Sequence, residues 1–123
     1  MAIEANELRT GNLVFDHLGR VQTVAETRAD AYICYLSNGV KLKYKLNTTQ
    51  PIPLTEEWLL KFGFTKIDRE DEDFTYFKKG NIEFTDVSPN GIELVWYELS
   101  PCTSIHQLQN LYFALTGEEL KVN

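Results

Sequence analysis

The sequence predicts an α+β fold, mostly β: a four-stranded β unit over residues 1–50, then a helix, four antiparallel strands and a second helix over residues 51–123. The two parts are expected to pack as one compact two-lobed domain. Residues 13–46 hold four short runs of β formers, with glycine-containing turns between the first and second and between the third and fourth. Both helical patterns lie beyond Pro51, and the stretch between them returns to strand-like alternation.

In order, Leu13-Val14-Phe15 is an apolar run after the turn Arg9-Thr10-Gly11-Asn12, and Leu18-Gly19 turns the chain into Val21–Val24. Tyr32–Leu36 is a third run, and Ser37-Asn38-Gly39 follows it. Asn-Gly tolerates positive φ at both central positions of a two-residue hairpin loop, which predicts the return strand Val40–Leu46. There Val40, Leu42, Tyr44 and Leu46 alternate with Lys41, Lys43 and Lys45, so the apolar set is expected on one face and the three ammonium groups on the other. Residues 47–53 read as the one linker-like stretch, its two prolines holding the chain extended.

Thr55 is placed to cap a helix with Glu56 and Glu57 in its electropositive first turn. Trp58, Leu59 and Phe62 share one side, Gly63 supplies a left-handed stop, and Phe64 folds back on the last turn. Phe74–Phe77 and Ile82–Thr85 flank the turn Lys79-Gly80-Asn81. Ser88-Pro89-Asn90-Gly91 reads as a type I turn leading to a strand over 92–99. Ser104 and Gln107 make a capping box for a helix ending at Gly117, whose apolar stripe is Leu108, Leu111, Tyr112 and Leu115.

A chain of 123 residues, 43% hydrophobic and 24% charged, buries enough surface to fold without disulfides or a metal. No run approaches the ~18 apolar residues that a membrane span needs. The first ten residues carry Glu4 and Glu7 and no apolar core, which argues against a signal peptide and for the cytoplasm. Net charge is −6, which disfavours wholesale phosphate-backbone binding. The charge is uneven: residues 1–50 carry six Lys/Arg against five Asp/Glu, residues 51–123 six against thirteen, so two surfaces with different partners are suggested.

Two stretches, Pro51-Ile-Pro-Leu-Thr-Glu-Glu-Trp-Leu-Leu-Lys-Phe-Gly-Phe64 and Ile105-His-Gln-Leu-Gln-Asn-Leu-Tyr-Phe-Ala-Leu-Thr-Gly-Glu-Glu-Leu120, resemble the signature segments of a family of small uncharacterised proteins. That family is common in Bacteroidetes genomes and in their bacteriophages and mobile elements. The opening Asn6-Glu-Leu-Arg-Thr-Gly-Asn12 is similar to its usual start. The resemblance covers about a third of the residues but spans the chain. It implies a phage or mobile-element protein in a host bacterial cytoplasm and supplies no catalytic residues. Separately, Arg9-x-Gly11-x-x-Val14 followed by Gly19-x-Val21-x-x-Val24 resembles the start of small SH3-like barrels, which bind nucleic acids, peptides or proteins.

The leading candidate site is the row Lys41, Lys43 and Lys45, joined by Arg20 or Arg28 from a neighbouring strand, as a receptor for anionic groups. Against it stands the use of lysines to guard an exposed strand edge. Five acids between Asp68 and Asp73 lack the glycine and distal glutamate of a calcium loop and read as a solvated loop. Cys34 and Cys102 read as buried or half-buried thiols. His106 reads as a polar first-turn residue, since a Cys102–His106 nucleophile pair would need an orienting third group. His17 has no partner at metal spacing. Trp58, Trp96, Tyr97, Tyr112 and Phe113 read as core or oligomer contacts. Phe113 lies off the helical stripe, so Phe113 and Tyr112 are expected at a contact with another subunit.

No catalytic motif, metal ligand set or cofactor signature stands in the chain, so it is not expected to be an enzyme. The first expectation is a binding protein that sequesters a compact anionic ligand, such as a cyclic or other nucleotide-derived immune signal, in a pocket at a homo-oligomer interface. An anti-defence role would follow from the phage context. A second is an adaptor or inhibitor whose acidic face, residues 56–98, occupies a basic site on a host protein. A third, which the net charge opposes, is nucleic-acid binding through the N-terminal unit.

Overall fold

The structure is a computed structural model and describes residues 3, 7–27, 32–37, 39–68, 74–87, 92–96 and 101–122. The N-terminal sheet comprises β1 (Leu13–Phe15), β2 (Val21–Thr27), β3 (Tyr32–Ser37) and β4 (Val40–Lys45), antiparallel in the order β1-β2-β3-β4. Helix α1 (Glu56–Lys61) leads into the second sheet, β5 (Thr65–Asp68), β6 (Thr75–Lys79), β7 (Ile82–Asp86) and β8 (Leu94–Val95), again an antiparallel meander. Helix α2 (Ile105–Thr116) follows. The predicted α+β order of sheet, helix, sheet and helix is the order found.

The hairpins form where backbone chemistry placed them. Ser37 pairs with Val40, and Gly39 before the return strand sits at φ +79°, where a side chain would be strained. At the β1–β2 turn, the buried carboxylate of Asp16 accepts the N–H groups of Leu18 and Arg20, each at 2.9 Å, the Arg20 Nε at 2.9 Å and the Gln22 amide at 2.8 Å. Burial alone would raise the Asp16 pKa; the four donors outweigh it and hold the carboxyl well below the usual carboxylate range.

Helix α1 is too short to persist by itself. The Thr55 hydroxyl accepts the Trp58 N–H, and the far end closes with paired bonds, Gly63 N–H to Leu60 and Phe64 N–H to Leu59, each at 3.0 Å. The Lys79 ammonium donates to the Phe62 carbonyl at 2.5 Å, a cation at the negative end of the helix. In α2, the Ser104–Gln107 capping box forms, and Gly117 at φ +75° ends the helix by donating to Phe113.

Two cores result. The larger lies between the second sheet and the helices, with Leu59, Phe62, Phe77, Phe84, Ile105 and Leu108 fully buried. The smaller fills the N-terminal lobe around Val14, Val24, Ile33 and Tyr35, where Tyr44 stacks on Tyr35 at 4.9 Å.

The alternation expected in β4 is the one found, and its apolar face is buried only at one end: Tyr44 and Leu46 pack inward, while Val40 is 56% and Leu42 39% exposed. Two expectations need correction. The strand expected over 92–99 is, among the described residues, only Leu94–Val95, with Ile92 and Trp96 flanking it against the same core. Residues 47–53, read as linker-like, are tied into the fold by backbone bonds. A 3-10 turn, Leu46–Thr48, returns the chain to β1, where Phe15 and Gln50 exchange two backbone bonds of 2.9 Å. Pro53 then bridges to Ser104, with Ile52 and Leu54 buried beside it. Arg28, Asn38, Tyr97, the turn 88–91 and residues 69–73 of the acidic stretch lie outside the described residues.

Candidate binding surface

Strict alternation in an antiparallel ladder puts Lys41, Lys43 and Lys45 on one face of β4, opposite Leu36, Cys34 and Tyr32 of β3. All three lysines are exposed. Their attachment points repeat at roughly 7 Å, twice the rise of an extended residue. Glu26 of β2, opposite Cys34, shares the face and takes the Lys41 ammonium at 3.6 Å. The row therefore carries three ammonium groups on one face, with the Glu26 carboxylate beside Lys41.

Arg20, expected to join this row, sits instead at the β1–β2 turn with its guanidinium on Asp16. Arg28 lies outside the described residues. His17, in the same turn, brings its ring to 5.9 Å from that of Tyr44, so a ladder of rings runs from buried Tyr35 through Tyr44 to exposed His17. The Tyr35 hydroxyl bonds the buried Thr49 hydroxyl.

The other concentration of polar chemistry is the seam between α2 and the N-terminal segment, which the sequence reading did not locate. Gln109 is 2% exposed although it is an amide on a helix. Its carbonyl accepts the Leu13 N–H at 2.8 Å, and its amino group faces the Gly11 carbonyl at 3.3 Å and the Leu120 carbonyl at 3.4 Å. Asn110 accepts from Asn12 at 2.9 Å and donates to the Glu7 carbonyl at 2.6 Å. The Arg9 guanidinium donates to Asn110 at 3.0 Å, pairs with Glu119 at 2.8 Å and lies 4.3 Å from the centre of the Phe113 ring.

This contact gives Phe113, the residue off the helical stripe, a partner within its own chain. Tyr112, the other residue expected at an oligomer contact, is 6% exposed in the larger core, edge-on to Phe64. Phe113 itself stays 39% exposed beneath the Arg9 guanidinium, while Gln109 and His106 beside it are buried against the N-terminal segment.

His106 belongs to the seam. It lies in the first turn of α2, as the sequence reading has it, and is 2% exposed. Its Nδ1 lies 3.2 Å from Ser104 Oγ and its Nε2 lies 3.4 Å from a Glu7 carboxylate oxygen. Burial pulls its pKa down, against the opposing pull of Glu7, which favours neutral imidazole. A carboxylate only accepts, so Nε2 carries the proton and Nδ1 accepts from the Ser104 hydroxyl. The same Ser104 oxygen accepts the N–H of Gln107 as the helix cap. A cleft of about 230 Å³ opens here between Glu7, Pro51, Pro53, Ser104 and His106.

The sulfur of Cys102 is buried, and burial pushes its thiol up to about 11. A thiol so protonated is no nucleophile at neutral pH, and both His106 nitrogens are directed at other groups. A second cleft, apolar and of about 290 Å³, lies between Leu13, Phe62, Gln109 and Leu120. Neither cleft is lined by the β4 lysines. Among the described residues no group of His, Cys, Asp and Glu could hold a metal ion, and no helix is long and apolar enough to cross a membrane.

The seam joins two of the stretches that carry the family resemblance, Asn6–Asn12 and Ile105–Leu120, through Glu7–His106, Arg9–Asn110 and Asn12–Asn110. The sequence signal that would have found it is the pair of amides Gln109-Asn110 on a helix beside the stripe residues Leu108 and Leu111. No family model, no curated protein and no solved structure matches the chain.

Proposed function

We propose that the chain is a small, non-enzymatic binding protein of phage or mobile-element type that sequesters a compact anionic ligand through the lysine face of β4. The candidate ligand is a cyclic or other nucleotide-derived immune signal in the host bacterial cytoplasm. The observation that carries the reading is the exposed row Lys41, Lys43 and Lys45 on one face of an edge strand. Phosphate groups would meet several ammonium donors there at once, each bond charge-assisted.

One further feature supports it. The Phe15–Gln50 bridge brings the chain back to β1 after the 3-10 turn, which supports the SH3-like reading of the N-terminal unit. A homo-oligomer belongs to the same reading, in which a second subunit over the lysine face would enclose the ligand.

The test is native mass spectrometry of the protein recovered from infected cells, with calorimetry against cyclic dinucleotides and pyrophosphate. A co-purified nucleotide and a saturable heat that falls with added salt are expected. No retained nucleotide together with flat titrations would overturn the reading.

A further inference from the structure

β4 ends its sheet: all six residues Val40–Lys45 pair with β3, and among the described residues no strand pairs with the other side. Such an edge offers a row of outward backbone N–H and C=O groups. The strand has no proline or glycine to interrupt a ladder. Its lysines are exposed on one face, and Val40 and Leu42 on the other are 56% and 39% exposed.

Lysines on an edge discourage pairing with a basic strand, because like charges placed directly opposite destabilise a ladder. They suit the converse partner. A strand alternating acidic and apolar residues shares the period of two, so each acid would stand opposite a lysine while each apolar residue covered Val40 or Leu42. β4 against β4 of a second copy in one continuous sheet would instead set lysine beside lysine.

We propose that β4 is a docking edge for an extended acidic segment of a partner chain, which adds to the N-terminal sheet as a fifth strand. The inference rests on the lysine face being a binding surface and goes beyond the compact-ligand reading, because strand addition also needs the backbone edge.

The test is a fluorescein-labelled nonapeptide alternating glutamate with valine and threonine, titrated by anisotropy, with amide hydrogen exchange read at residues 40–45. Binding and slowed exchange at Val40–Lys45 are expected. Replacing Lys41, Lys43 and Lys45 together with serine should weaken binding by about tenfold, the sum of three lost cross-strand charge pairs. A peptide N-methylated at alternate positions keeps its charge but loses ladder bonds, and it should bind at least about tenfold more weakly.

Equal binding by the N-methylated peptide, or no binding by either, overturns the inference. So does concentration-dependent protection of residues 40–45 without peptide, which would assign the edge to a second copy. Calorimetry with pyrophosphate reads the compact-ligand proposal separately, so peptide binding without pyrophosphate heat, or the reverse, shows which of the two has failed.

Discussion

Gln109 of α2 accepts the backbone N–H of Leu13 in β1 at 2.8 Å, a bond that ties the last helix of the chain to its first strand. Because Gln109 is 2% exposed, no water replaces it when the amide is removed. Gln109→Leu keeps the volume but orphans the Leu13 N–H and two carbonyls. It should cost about 2–3 kcal/mol, one unsatisfied buried donor plus partial losses at the carbonyls. Chemical denaturation at constant slope checks the value; a change below about 0.5 kcal/mol, the range of an ordinary surface substitution, would mean that the seam is dispensable.

His106 makes the seam sensitive to pH. Its folded pKa lies below the ordinary value because of burial, so the unfolded chain binds the proton more readily. The contribution to stability is full above the unfolded pKa of about 6.5 and is lost as pH falls through the lower folded value. Denaturation midpoints should therefore decline between pH 7 and 5. His106→Asn should flatten that decline, whatever it does to stability at pH 7. A variant with an unchanged slope would assign the decline to other groups.

Asp16 works in the same direction at lower pH. Its folded pKa is depressed despite burial, so its stabilisation is present above the unfolded pKa of about 4 and fades as pH falls below it. Asp16→Ala strands four donors at the β1–β2 turn and should cost about 3 kcal/mol. The loss should be visible in thermal unfolding at pH 7 and smaller at pH 3.

Cys102 should resist alkylation in the native state. With its thiol raised by burial to about 11 and its side chain closed to solvent, iodoacetamide at pH 8 should modify it only at the rate of local or global opening. Peptide mapping of the modified protein, with and without denaturant, makes the comparison. Rapid native labelling would mean that the strand–helix junction around Leu94 and Cys102 opens freely.

Most of the architecture was legible because each element is specified locally. Thr55, Gly63, Ser104 and Gly117 mark helix ends by capping chemistry that needs only a few neighbouring residues. Asn38-Gly39 and Gly80 mark turns in the same way. What was not legible depends on residues about a hundred positions apart. Nothing near Phe113 announces Arg9, and nothing near His106 announces Glu7. The buried amides of Gln109 and Asn12 look like ordinary surface polar residues until the seam is assembled around them. β4 shows the converse: its alternation was read correctly, but a period of two states which residues share a face, not whether that face is covered. Of the candidate site, the lysine row stood in the sequence, while the diversion of Arg20 to Asp16 and the intrusion of Glu26 arise from the turn and from cross-strand register.

The central claim is that β4 is the anion-receiving surface, and chemical-shift mapping tests it most directly. Pyrophosphate or a cyclic dinucleotide added to isotopically labelled protein should move the amide resonances of Val40–Lys45 and their neighbours at Cys34 and Glu26, saturably, and Lys41→Ser/Lys43→Ser/Lys45→Ser should abolish the movement. Shifts confined to the His106 cleft, or no saturable shift at all, would contradict it.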